Sequence, residues 1–157
     1  LGLYNTWSSY GVESEGVFIA YTSVYGNTKK AAELLKEKLE AKGCPKVAIA
    51  DLAREDMAES VEDAFRYGKL VIATTTYNAD IFPFMKHFIL DLTERNYQNR
   101  TVAFVENGSW APAAKRVMAG MLEKSKNITY AETTVTIKSA VNDAVIEAID
   151  KLAEELA

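Results

Sequence analysis

Five short apolar runs, each followed by a stretch of helical periodicity, leave few folds open to this chain. The runs are Val17–Tyr21, Val47–Asp51, Leu70–Thr74, Thr101–Glu106 and Tyr130–Ile137. VFIAY, LVIA and TVAFV are nearly continuous in apolar residues, as strands covered on both faces must be, whereas TTVTI alternates like an edge strand. Between and after them, apolar residues recur at i, i+3 and i+4. The third helix is predicted from Ile81, Phe82, Met85, Phe88, Ile89 and Leu92. Pro83 is tolerated there because a first-turn N–H has no partner to lose. Ala113, Ala114, Val117, Met118, Met121 and Leu122 predict the fourth helix. Val141, Ala144, Val145, Ala148, Ile149, Leu152, Ala153 and Leu156 predict a fifth with a buried face. Five successive βα units predict an α/β fold: a three-layer, doubly wound, five-stranded parallel sheet of order 2-1-3-4-5.

Composition narrows the function. At 157 residues the chain fits one domain able to bury about 70% of its unfolded surface. Net charge is −4 without a basic stripe, which argues against nucleic acid. No apolar run approaches a bilayer span, which argues against a membrane partner. Cys44, the single cysteine, has no internal disulfide partner and reads as a loop thiol before Pro45, consistent with the reducing cytoplasm. His87, the single histidine, falls within the third helix and reads as a surface or packing residue. The chain opens on Leu1 without an initiator methionine, and residues 1–15 are expected to be a linker from a preceding domain, with the α/β domain over 16–157.

In a doubly wound sheet, ligands sit beyond the carboxyl ends of the strands, near the switch point between the first and third. The loop after the first strand is Thr22, Ser23, Val24, Tyr25, Gly26, Asn27 and Thr28. Hydroxyls, an amide, a glycine and the free N–H groups of a helix start can cradle a phosphate; the same residues also serve as an ordinary cap by Asn27 or Thr28. Lys29 and Lys30 stand in the first turn of that helix, where carboxylates suit the helix dipole, so a bound anion would offset their charge. Neither GxxxxGK[ST] nor GxGxxG is present, which disfavours nucleoside triphosphates and dinucleotides. The loop after the third strand, Thr74 to Asp80, carries Tyr77; the loop after the fourth, Glu106 to Pro112, carries Trp110. Two large aromatics on polar loops at one sheet edge suit a flat ring system. Asp80 reads as a helix-start carboxylate and Glu106 as a solvated strand-end charge.

TSVYGNT resembles the phosphate loop of flavodoxin-like proteins, and TTTYNADIFP with ENGSW resembles their two flavin-ring loops. The aromatic before GNT, the Asn-x-x-Ile-Phe-Pro run and the leading LYNTWSSYGVESEG are most similar to the C-terminal flavodoxin domain of flavodiiron proteins and its linker. The resemblance implies FMN. Thr22, Ser23, Tyr25, Gly26, Asn27 and Thr28 would hold its phosphate, with Val24 in the same loop. Thr75, Thr76, Tyr77, Asn78 and Ala79 would border one side of the ring, with Asn107, Gly108, Ser109 and Trp110 on the other. Ala111 and Pro112 depart from the glycine and second aromatic common at those positions, and Lys29 replaces a frequent acidic residue.

The resemblance also implies an electron-transfer domain of a flavodiiron-type oxygen or nitric oxide reductase. Such a domain would take electrons from a redox protein such as rubredoxin or a flavin reductase and pass them to a diiron domain of the intact chain, in a head-to-tail homodimer. No HxExD-type cluster is present, so the diiron ligands would lie elsewhere. A free-standing flavodoxin or an FMN-dependent quinone or NAD(P)H reductase is the alternative reading. A third is an interaction module that has lost FMN.

Overall fold

The computed structural model describes residues 14–22, 27–44, 46–52, 54, 57–77, 80–81, 83–95, 97, 100–107, 120–122, 128–131, 133–137 and 143–156. Strand β1 (Ser14–Tyr21) leads to helix α1 (Asn27–Ala41), then β2 (Val47–Asp51) and α2 (Met57–Arg66). β3 (Tyr67–Tyr77) follows α2 directly and is longer than its apolar run. After it come β4 (Asp80–Ile81), α3 (Pro83–Glu94), β5 (Arg100–Asn107), β6 (Ile128–Tyr130), β7 (Val135–Ile137) and α4 (Asp143–Leu156).

The strands line up as β2-β1-β3-β5-β6, with β7 also beside β5. All these pairings are parallel. With β6 and β7 taken as one interrupted edge strand, this is the predicted order. The interruption is a matter of register: two residues separate Val102 from Val105 on β5, but four separate their partners Tyr130 and Val135. Two surplus residues leave the ladder, which an edge strand tolerates because no strand among the described residues pairs beyond it. Val135 and Ile137 are buried and Thr136 half-buried, the alternation that TTVTI predicts.

Strand parity sorts the core into two layers. Val17, Ile19, Val71, Ala73, Ala103 and Val105 face α1 and α4, where Ala32, Leu35, Leu39, Ile149 and Leu152 complete one cluster. Phe18, Ala20, Leu70, Ile72, Val102 and Phe104 face α2 and α3, meeting Val61, Phe65, Met85, Phe88 and Leu92. Each large apolar side chain so buried contributes about 1.5–3 kcal/mol. Met121 also packs against this second cluster as core filling.

The helix readings need two corrections and one boundary. Ile81 belongs to β4, which returns antiparallel onto Thr76 and Tyr77, so α3 begins only at Pro83. Pro83 then opens the helix at the position where a missing N–H costs nothing. Ala144 is exposed, so the buried face of α4 starts at Val145. The fourth predicted helix lies outside the described residues except for Gly120 and Met121, which are helical, and Leu122, which is buried. Likewise β1 starts at Ser14, inside the stretch expected as linker, and residues 1–13 lie outside the described residues.

Two glycines sit where a side chain would not. Gly16 has φ +151° where β1 first meets β2, and a Cβ there would stand 2.2 Å from the Lys46 carbonyl oxygen. Gly43, at φ +89°, closes α1: its N–H donates to Glu40 O at 3.2 Å and Cys44 N–H to Leu39 O at 3.0 Å. This crossed pair satisfies the last helical carbonyls and needs a left-handed residue at Gly43. Cys44 is half-buried against the α1/α4 cluster.

Candidate functional site

The crevice is set by which way the helices leave. β1 and β3 are adjacent, yet α1 covers one face of the sheet and α3 the other. Their connections therefore diverge at the carboxyl ends of β1 and β3, opening the switch-point crevice where doubly wound sheets bind ligands.

At this edge the apolar strands end in polar residues. Thr22 N–H donates to Ala73 O at 3.0 Å, which extends the β1–β3 ladder one step beyond Tyr21. The hydroxyls of Thr22 and Thr74 then meet at 2.6 Å, and both residues are fully buried. One strand further, Glu106 is in register with Thr74 and with Thr136, whose hydroxyl donates to Glu106 Oε1 at 3.2 Å. By parity all four residues lie on the α2/α3 face, in one row above Ala20, Ile72 and Phe104. Thr28, one residue into α1, is fully buried as well.

Glu106 corrects the reading of a solvated strand-end charge: only 8% of it is exposed. The carboxylate is kept inside because a cross-strand hydroxyl donates to it. Asp80 is likewise not a helix-start residue; its backbone pairs with Tyr77 in β4, three positions before α3.

Of the residues predicted for the phosphate loop, Thr22 and Thr28 are placed with their side chains, and Asn27 as the first residue of α1. Ser23, Val24, Tyr25 and Gly26 lie outside the described residues. Thr75, Thr76 and Tyr77 form the end of β3 and Asn107 the end of β5, so both ring loops depart from the same sheet edge as the phosphate loop. Asn78, Ala79, Gly108, Ser109 and Trp110 lie outside the described residues. Thr74 and Glu106 are not among the predicted site residues. The signal that could have found them is a polar residue closing an apolar run on the same parity in neighbouring strands.

The first turn of α1 holds no acidic residue, and Lys29 and Lys30 are exposed within it. Buried hydroxyls, helix N–H groups and adjacent ammonium groups are an anion-binding set, so the residues present fit a phosphate. His87 is away from this edge, exposed on α3, with Nε2 3.3 Å from Asp91 Oδ2 one turn on. Among the described residues no cluster of three or more His, Cys, Asp or Glu side chains is placed to hold a metal. None of the described helices is long and apolar enough to cross a membrane.

Comparison with known proteins agrees with this geometry. A family model described as a flavodoxin domain matches residues 18–136. The nitric oxide reductase of Moorella thermoacetica is 26% identical over 136 residues, covering 86% of this chain and 33% of that protein. The chain thus spans about a third of the length of that curated relative. Rubredoxin oxygen:oxidoreductase from Desulfovibrio gigas superposes with a TM-score of 0.89 at 20% identity, over 98% of this chain and 37% of that one. A flavodoxin from the domain Archaea gives 0.77 at 18% identity, over 92% and 96%. With the doubly wound sheet, the polar switch-point edge and a family model spanning most of its length, the chain belongs to the flavodoxin domain family, and FMN is the cofactor that membership implies.

Proposed function

We propose that this chain is the FMN-binding, electron-transferring flavodoxin domain of a flavodiiron-type oxygen or nitric oxide reductase. The observation that carries the FMN site is the buried Thr22–Thr74 hydroxyl pair at the carboxyl ends of β1 and β3, next to a helix start free of carboxylates. What supports the flavodiiron context is similarity to a part of longer proteins, among them a nitric oxide reductase and a rubredoxin oxygen:oxidoreductase.

In this reading Thr22, Ser23, Tyr25, Gly26, Asn27 and Thr28 bind the phosphate through hydroxyls and backbone N–H groups, and Lys29 and Lys30 add favourable charge at the mouth. Thr75 to Ala79 and Asn107 to Trp110 orient the ring, with Tyr77 and Trp110 excluding water from its faces. Bound FMN supplies the redox chemistry, and the protein sets its position and electrostatics. Glu106 holds a buried negative charge at the root of one ring loop, which opposes accumulation of further negative charge there. The donor would be a redox protein such as rubredoxin or a flavin reductase, and the acceptor a diiron centre in a head-to-tail homodimer, in the cytoplasm. The free-standing flavodoxin reading is favoured by one observation, the near-complete coverage of an archaeal flavodoxin.

Titration of the purified chain with FMN and with riboflavin, followed by flavin absorbance and fluorescence, tests the site. FMN should bind tightly, and removal of the phosphate should weaken binding sharply. Equally poor binding of both flavins would reduce the β1–α1 loop to a helix cap.

A further inference from the structure

We propose that Glu155 of α4 is a register lock on the edge strand: it keeps β6 and β7 apart and so denies a second copy of the chain a continuous edge to pair with. The inference concerns the sheet edge and does not depend on the FMN reading.

Two registers are open to this edge. β6 pairs with β5 from Arg100–Ile128 to Val102–Tyr130, and β7 from Val105–Val135 to Asn107–Ile137. Carrying the β7 register back along the chain would set Thr133 opposite Ala103 and Tyr130 opposite Arg100, so that residues 130–137 would match all 8 residues of β5. This continuous register differs from that of β6 by a slip of two. Such a slip returns every side chain to its own face of the sheet, so hydrophobic patterning does not choose between the two. Individual contacts must.

Two contacts favour the interruption. Thr133 N–H donates to Glu155 Oε2 at 3.2 Å, and the Thr133 hydroxyl donates to Oε1 at 2.8 Å. One carboxylate thus takes both donors through charge-assisted hydrogen bonds. In the continuous register the parallel pattern would give that same N–H to Val102 O, which here accepts from Ala131 N–H at 3.0 Å. Glu155 and the Val102 carbonyl are therefore rival acceptors for one N–H. Tyr130 supports the lock by stacking on Phe104, with 5.7 Å between ring centroids. A slip of two would carry Tyr130 about 7 Å down the strand and out of stacking range.

The lock matters because of what an unbroken edge offers. YAETTVTI, from Tyr130 to Ile137, holds one charged residue and neither proline nor glycine. Unbroken, it would lack most of the devices that blunt an edge strand. A ready partner for such an edge is its own copy, paired antiparallel about a two-fold axis. The observed edge consists instead of two strands of 3 residues each, shorter than the usual strand and poor templates for a partner.

The test follows self-association of the purified chain by sedimentation equilibrium, and edge register by cross-strand proton contacts in NMR. It compares wild type, Glu155→Ala, Glu155→Gln and Glu155→Ala/Thr133→Pro. Wild type should place Tyr130 beside Val102. Glu155→Ala should populate the register with Thr133 beside Ala103, and its dimer dissociation constant should be at least about tenfold lower than that of wild type, the value of one hydrogen bond to a charged group. Glu155 is exposed, so this change leaves the core intact. Glu155→Gln keeps one acceptor oxygen and loses the charge, and it should fall between the two. Proline has no N–H to give Val102 O, so the double variant should return to the wild-type dissociation constant. A Glu155→Ala chain that keeps the wild-type contacts, changes register without associating, or associates without changing register would overturn the proposal. So would a double variant that associates as strongly as Glu155→Ala. A wild-type chain with Thr133 already beside Ala103 would overturn it before any substitution.

Discussion

The two ends of the sheet bury polar groups on the same face and treat them differently. At the carboxyl end, Thr22, Thr74, Glu106 and Thr136 pair hydroxyl to hydroxyl and hydroxyl to carboxylate across adjacent strands. At the amino end, Arg100 opens β5 with 3% exposure and donates through Nη2 to the Phe65 carbonyl of α2 at 2.7 Å. Its guanidinium also lies over the Tyr97 ring, 5.7 Å from the centroid, and Phe65 meets Tyr97 edge-on at 5.2 Å. Here the polar group serves the fold: it closes a carbonyl at a helix end where cations are favoured. The carboxyl end uses short side chains on a rigid ladder and faces loops; the amino end uses one long cation to tie a helix to a strand. Burial of polar groups alone therefore does not mark a ligand site. What distinguishes the carboxyl end is that its groups sit where two connections diverge.

The contrast between the ends breaks most visibly at Arg100. Arg100→Leu removes the donor and leaves the Phe65 carbonyl buried without it, a loss of about 2–3 kcal/mol. Urea unfolding should show that loss, while FMN affinity stays within about twofold because the ends share no partners. A fall in FMN affinity as large as the fall in stability would mean that the two ends are one coupled unit.

Legibility in the sequence differs between the same two ends. The central strands announce themselves because VFIAY, LVIA and TVAFV are apolar on both parities, and only a doubly covered sheet accepts that. The edge strand reads as continuous because its two surplus residues obey no periodicity; register, a tertiary property, exposes them. Ile81 fits the helical spacing of α3 by coincidence with its role in β4, since one residue satisfies either pattern. The β1–α1 loop is readable from its chemistry, but the Thr22–Thr74 bond joins residues 52 apart, and no local pattern reports such a pair. Glu106 reads as solvated because charged strand ends usually are; Thr136, on a different strand, overrides that default. Tyr97 and Arg100 carry no motif at all.

A smaller effect sharpens the carboxyl end. Thr136→Val removes the hydroxyl that donates to Glu106 and should cost about 1 kcal/mol, near the usual net value of one hydrogen bond. Glu106→Gln in the same background tests the cause: with the carboxylate neutral, the penalty of the Thr136 change should shrink. Equal penalties with Glu and Gln would mean that the pair is held by packing and that the charge is irrelevant.

The smallest effect at neutral pH falls on Tyr97, whose hydroxyl is fully buried and has no hydrogen-bond partner among the described residues. Tyr97→Phe removes a group that gains nothing from folding, so stability should stay level or rise by up to about 1 kcal/mol. Alkaline pH then separates the two proteins. Burial pushes the Tyr97 hydroxyl well above its ordinary 10.0, and the nearby Arg100 charge offsets only part of that. The folded chain keeps this proton while the unfolded chain releases it, so above pH 10 the unfolded state binds fewer protons and stability falls as pH rises. Wild type should lose about 1.4 kcal/mol per pH unit more than Tyr97→Phe in that range, and nothing extra below it. The carboxyl end, where the Thr22 and Thr74 hydroxyls do not titrate, offers the control: Thr74→Ser should track wild type through the same alkaline series. Parallel curves for wild type and Tyr97→Phe would show that the hydroxyl has found a partner which stabilises its ionised form, and the contrast between the two ends would then fail at its amino side.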